Sequence, residues 1–246
     1  MVYCWYPPVP RWPGEGGADY VKQFAEQLAL KGCEVHVLTS HPSLAGGKSQ
    51  VSSVPGVFIH PIVTEWGLRG FLTGEFSRVR RWFAKISPDV INLVYPGAKI
   101  RNRYVLPCLV KLLCPGVPIV TTLFHLFHPH ALRNPFYLFF VFMLYLSSSR
   151  LCFQEKRHLS IFRKLFPFLA RRCVFIPCGC NIEITQEYSL EASRQKREEL
   201  GLSPGFRYVS FYGHWYPSKN VHILVQAVHH LVRKGHKVKL LIVGNL

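Results

Sequence analysis

The sequence predicts an α/β protein: a doubly wound parallel sheet, followed by the start of a second domain of the same kind. Three observations predict it. Short β-type runs alternate with helical stretches along most of the 246 residues. Two of the runs, Asp89 to Val94 and Pro118 to Leu123, are almost continuously apolar, as strands are when helices cover both faces of their sheet. Late in the chain a β-rich run, Tyr208 to Tyr212, meets a glycine, crosses a short polar turn and feeds an amphipathic helix, so the unit begins again.

Val2 to Tyr6 reads as a first strand, and Pro7 to Gly16, with four prolines and two glycines, as the loop after it. Val21, Phe24, Ala25 and Leu28 fall at helical spacing, which predicts a helix from about Gly17 to Lys31 with Gly32 as its C-cap. Cys33 to Thr39 returns to β-type residues and completes a βαβ unit, whose crossover requires parallel strands. Between Ser40 and Glu65 only Val57 to Val63 suggests a strand. A helix over Phe71 to Ile86 and the strand over Asp89 to Val94 come next, then a helix over Tyr104 to Cys114 interrupted at Pro107, then the strand Pro118 to Leu123.

His125, His128 and His130 fall in the following loop. Phe136 to Leu146 is eleven apolar residues, far short of the about 20 that span a bilayer, and reads either as a buried helix or as a surface that touches a membrane. Arg150 to Phe153, Glu155 to Leu165 and Val174 to Ile176 continue the alternation as strand, helix and strand. These elements make a Rossmann-like domain over residues 1–185. The polar stretch 186–205, with a short helix near Ala192 to Leu200, is the linker. Residues 206–246 open a second Rossmann-like domain with a helix whose apolar face carries Val221, Leu224, Val225, Val228, Leu231 and Val232, and a strand from Lys237 to Val243. One βαβ unit cannot bury both faces of its sheet, so the second domain is expected to be incomplete within these residues.

With 30 Lys and Arg against 13 Asp and Glu, the net charge of +17 calls for an anionic partner: nucleic acid, an anionic membrane surface, or a substrate bearing a diphosphate. No recognition helix, zinc finger or RNP-like motif accompanies the charge, which argues against nucleic acid. The eight cysteines contain no C-x-x-C pair and sit mostly in apolar runs, as reduced thiols of a cytoplasmic protein would. No basic n-region precedes the short apolar start, so a signal peptide is not expected. The His125, His128 and His130 loop holds no Asp, Glu or Cys to complete a metal set, and neither a metal nor a cofactor is expected.

The candidate site residues follow from the turns. Lys219, at the start of a helix where the dipole disfavours a cation, is either a phosphate contact or a solvated lysine. Gly16 and Gly17 either let backbone N–H groups approach a ligand closely or simply make the turn.

Several segments resemble glycosyltransferase family 4. Gly16-Gly17-Ala18-Asp19 before a helix, and Gly32-Cys-Glu-Val-His-Val-Leu-Thr-Ser40 after it, are similar to the family's opening motif and second strand. Ile176-Pro-Cys-Gly-Cys-Asn181, Phe211-Tyr-Gly-His-Trp-Tyr-Pro-Ser-Lys-Asn220 and Leu240-Leu-Ile-Val-Gly244 match further on, in the family's order. The resemblance implies the two-Rossmann GT-B architecture and transfer of a sugar from a nucleotide-sugar donor to a saccharide or lipid-linked acceptor, with retention of configuration and no essential metal. The first domain would take the acceptor and the second would grip the nucleotide. Gly16, Gly17, His214 and Lys219 would bind the donor, and His125, shifted by one residue from the family's T-L-H segment, would hydrogen-bond the transferred sugar as the catalytic group. His214 stands where the family commonly has Arg, and it is a weaker, pH-dependent phosphate partner. The family's acidic donor motif is absent from the 246 residues, so a non-catalytic remnant or binding module of the same fold is the alternative. A peripheral position on an anionic membrane face would suit the basic surface.

Overall fold

A computed structural model describes residues 16–39, 50–51, 54–62, 74–95, 106–124, 135–179, 189–213, 215 and 219–244. They fall into two compact units that part between Asn181 and Ile182. The expected first strand, Val2 to Tyr6, lies outside the described residues.

The first unit begins with helix α1 (Gly16–Leu30), which buries Ala18, Val21 and Ala25 against Val35 and Val37 of strand β1 (Val35–Leu38) and Val57 and Ile59 of β3 (Val57–His60). The expected C-cap forms: Gly32 takes φ 87, its N–H donates to Ala29 O at 2.9 Å and that of Cys33 to Leu28 O at 3.1 Å. β1 and β3 pair in parallel, and a two-residue strand β2 (Gln50–Val51), which no periodicity announces, runs antiparallel on the outer side of β3.

Helix α2 (Glu75–Ile86), strand β4 (Ile91–Tyr95), helix α3 (Leu106–Leu113), strand β5 (Ile119–Leu123), helix α4 (Pro135–Ser147), strand β6 (Arg150–Phe153), helix α5 (Lys156–Leu165) and strand β7 (Cys173–Phe175) then alternate, with the four strands parallel in the order β4-β5-β6-β7. Pro107 is not an interruption. It is the second residue of α3, where its missing N–H would have had no helical partner anyway. A 3₁₀ turn over Pro167–Arg172 joins α5 to β7.

Successive strand residues point to opposite faces, and the core divides accordingly. Val35, Val37, Val57, Ile59 and Val94 pack with α1, whereas Leu38, Ile91, Leu93 and Ile119 pack with Val79 and Phe83 of α2 and Val110 of α3. Helices on both faces of a parallel sheet are the doubly wound arrangement. A third cluster joins Leu144 and Tyr145 of α4 to Leu151, Phe153, Leu159, Phe162 and Leu169. The apolar helix α4 is therefore buried along one side, while Phe139 and Leu146 stand exposed on it. No helix of the described residues is long and apolar enough to cross a membrane.

The second unit holds helix α6 (Leu190–Glu199), whose first turn is capped by Ser189 Oγ accepting from Ala192 N–H at 3.0 Å, and then strand β8 (Arg207–Tyr212), helix α7 (Val221–Arg233) and strand β9 (Val238–Val243). β8 and β9 pair in parallel from Arg207↔Val238 to Tyr212↔Val243, the crossover geometry the sequence predicts.

Candidate functional site

In open parallel sheets ligands bind beyond the carboxyl ends of the strands, where the strand order reverses. In the first unit β1 and β3 form one ladder and β4 to β7 another, and α1 begins on this side with Gly16 and Gly17. The two glycines thus lie together in the first turn of a helix, where N–H groups have no intrahelical acceptor. One turn on, the Tyr20 ring meets Phe124, just past β5, edge-on at 5.0 Å and stacks on Phe24 at 5.7 Å.

The phenol of Tyr20 is the centre of a polar group that sequence reasoning missed. Burial raises its pKa, and the nearby Cys178 and Cys152 thiols push the same way, against the opposing effect of the Gln154 amide and the Thr122 hydroxyl. Tyr20 is therefore a neutral phenol, suited to hydrogen-bonding rather than to accepting a proton. Thr122 Oγ1 donates to Asn92 Oδ1 at 3.2 Å across β5 and β4, and the Gln154 amide lies beside the Tyr20 phenol. The available signal was the presence of Asn92, Thr122 and Gln154 within or just after otherwise apolar strands; their convergence on Tyr20 depends on strand register.

A second polar cluster lies on the other face of the sheet. Glu34 Oε1, His36 and His60 form a chain, with His36 Nε2 at 2.7 Å from the carboxylate and His36 Nδ1 at 2.9 Å from His60 Nε2. Trp82 of α2 packs edge-on against both imidazoles, at 5.0 and 6.1 Å. Burial, and next the charge of His36, lower the His60 pKa to about 4, so its ring is neutral at physiological pH. This is a structural hydrogen-bond chain between two paired strands. Among the described residues no group of three His, Cys, Asp or Glu could hold a metal ion.

In the second unit the carboxyl ends of β8 and β9 close on two glycines. Gly213 N–H donates to Val243 O at 2.9 Å, and a side chain at Gly244 (φ 154) would overlap the carbonyl oxygen of Gly213. Lys219 is exposed immediately before α7, and the N-cap residue Asn220, at φ 53, makes no side-chain cap hydrogen bond. The α7 N-terminus thus presents a cation and helix N–H groups for which Asn220 supplies no side-chain cap. His125 and His214 lie outside the described residues. Gly16 and Gly17 belong to the first unit and Lys219 to the second.

A doubly wound domain followed by a second parallel βαβ unit is the layout of GT-B glycosyltransferases, and the comparisons agree. HepE of Anabaena, in complex with UDP-glucose, superposes with a TM-score of 0.64 at 16% identity, over 99% of this chain and 59% of HepE. A glycosyltransferase from Rickettsia africae matches with a TM-score of 0.53 at 11% identity, over 94% of this chain and 65% of the other. At such identities the likeness is one of fold, and the chain spans about three fifths of the length of HepE. The sequence itself goes further: residues 14–184 match the profile of glycosyltransferase family 4, and the chain belongs to that family. No curated protein sequence matches it.

Proposed function

We propose that the protein transfers a sugar from a nucleotide-sugar donor, a uridine diphosphate sugar, to a saccharide or lipid-linked acceptor, with retention of configuration and without a resident metal. The observation that carries the reading is Lys219, exposed beside the α7 N-terminus at the carboxyl ends of a parallel strand pair, in a family 4 chain whose structural relative HepE is described in complex with UDP-glucose. Cleavage of the donor's sugar–phosphate bond leaves negative charge on the departing diphosphate, which a lysine and aligned helix N–H groups stabilise. His214 adds a second phosphate contact. Gly16 and Gly17 admit the donor close to the backbone, His125 hydrogen-bonds the transferred sugar, and Tyr20, Thr122 and Gln154 line the acceptor side.

The domain layout of the reading is an acceptor domain over 1–185, a linker over 186–205 and the opening of the donor domain over 206–246. The protein would be cytoplasmic and peripheral to an anionic membrane face. Isothermal calorimetry of UDP with the full-length protein tests the donor site. Lys219→Ala is expected to weaken binding roughly tenfold or more, the loss typical of a hydrogen bond to a charged group. Unchanged affinity would remove Lys219 from the site. Undiminished turnover in excess chelator, and a product anomer matching the donor's, check the remaining claims.

A further inference from the structure

The carboxyl ends of β4, β5 and β6 carry uncharged polar side chains at one level of the sheet. Val94, Thr122 and Cys152 are register partners across the three strands and therefore share a face, which the period of two extends to Asn92 before Val94 and Gln154 after Cys152. Val94 packs with α1, so this is the face on which that helix lies. Tyr20 reaches the group from α1: its ring meets Phe124 edge-on at 5.0 Å, and its phenol lies beside Gln154 and Thr122.

Every member of the group is neutral. Phenol, hydroxyl and amides carry no charge, and burial raises the pKa of the Cys152 thiol, which stays protonated. Among the described residues no Lys, Arg, Asp or Glu acts on the Tyr20 phenol, in a chain that carries 30 Lys and Arg. Phenol, hydroxyl and primary amide each donate and accept, as the hydroxyls of a sugar do. The Tyr20 and Phe124 rings add the apolar surface that lines small-molecule sites. Burial acts on a ligand as it acts on the phenol: a carboxylate or phosphate placed here gives up water and finds no cation in return.

We propose that Tyr20, Thr122 and Gln154 are specificity-determining residues that restrict the acceptor end bound by the first unit to an uncharged sugar ring and reject uronates and phosphosugars. A lipid-linked acceptor that obeys this rule presents a neutral sugar at its reactive end and keeps its phosphates away from the group. An anionic ring would call for Arg or Lys where Gln154 stands, because a cation with several N–H donors is what pairs with a carboxylate. The inference rests on the reading of the first unit as the acceptor side and adds to it the charge class of the substrate.

Saturation-transfer NMR titrations of the full-length protein, with UDP present, compare methyl glucoside, galactoside and mannoside with the corresponding methyl uronides. At least one neutral glycoside binds, and its uronide binds roughly tenfold or more weakly. Tyr20→Phe keeps the ring and its packing but weakens the neutral glycoside about fivefold, the loss of one hydrogen bond, and leaves UDP affinity unchanged. Gln154→Lys shifts the preference toward the uronide, a change that a merely structural role would not produce. Equal binding of uronide and glycoside by the parent, unaltered glycoside affinity in Tyr20→Phe, a retained neutral preference in Gln154→Lys with its circular dichroism intact, or binding of no glycoside at all overturns the proposal. Each reading fails on its own measurement: UDP affinity and turnover decide the transfer reading, and the glycoside preference decides this one.

Discussion

In the first unit Val37, Val57, Val110, Ile119, Leu151 and Phe162 are fully buried, and three core clusters run through both faces of the sheet. In the second unit, among the described residues, only Val221 and Val228 are buried hydrophobics. Val225 and Val232, on the same apolar face of α7, stay 42% and 50% exposed, and Ile242 and Val243 of β9 are exposed as well. The same βαβ pattern appears in both, and the difference lies in the number of neighbours. Two strands cover only part of a helix face, and a two-stranded sheet is marginal in water. Among the described residues the second unit therefore buries far less of its apolar surface than the first.

Phe162→Ala should test that contrast most severely. The ring is ringed by Tyr145, Phe153 and Phe166 at centroid distances of 4.6 to 5.1 Å, and its loss is expected to cost about 3–5 kcal/mol in urea unfolding of the first unit. Acid acts next. Folding lowers the His60 pKa to about 4 from its ordinary 6.5, so the neutral ring stabilises the fold above about pH 6.5 and that contribution drains away as pH falls toward 4. A loss on the order of 2–3 kcal/mol is expected between those values. His60→Phe should flatten that part of the stability profile; an unchanged slope would assign the acid sensitivity elsewhere.

Thr121→Val removes a buried hydroxyl that lies 2.7 Å from Ser148 Oγ and should cost about 1–2 kcal/mol. Val232→Ser in the second unit should change stability by no more than about 0.5 kcal/mol. If it matches Thr121→Val, the exposed face of α7 is covered and the contrast between the units fails.

Much of this was legible because it is local. The Gly32 cap, the α7 face and the apolar strands β4 and β5 each announce themselves within a dozen residues, through spacing or turn chemistry. The places of Gly16 and Gly17 in the first turn of α1 and of Lys219 just before α7 were legible for the same reason. What escaped depends on register between distant strands. Glu34, His36 and His60 meet only because β1 and β3 pair, and Tyr20 meets Thr122 and Gln154 only because α1 crosses the ends of β5 and β6. β2 is two residues long and stabilised by its partner alone, and the 3₁₀ turn at Pro167–Arg172 is too short for any periodicity.

Amide hydrogen exchange of the full-length protein, with and without UDP-glucose, examines the central claim that donor phosphates sit at the α7 N-terminus beside Lys219. Without ligand, β5 and β6 should be far better protected than β8 and β9. With ligand, exchange should slow in the first turn of α7 and at Gly16 and Gly17, and Lys219→Ala should abolish the change in α7. Protection that leaves α7 untouched while appearing elsewhere would contradict the account.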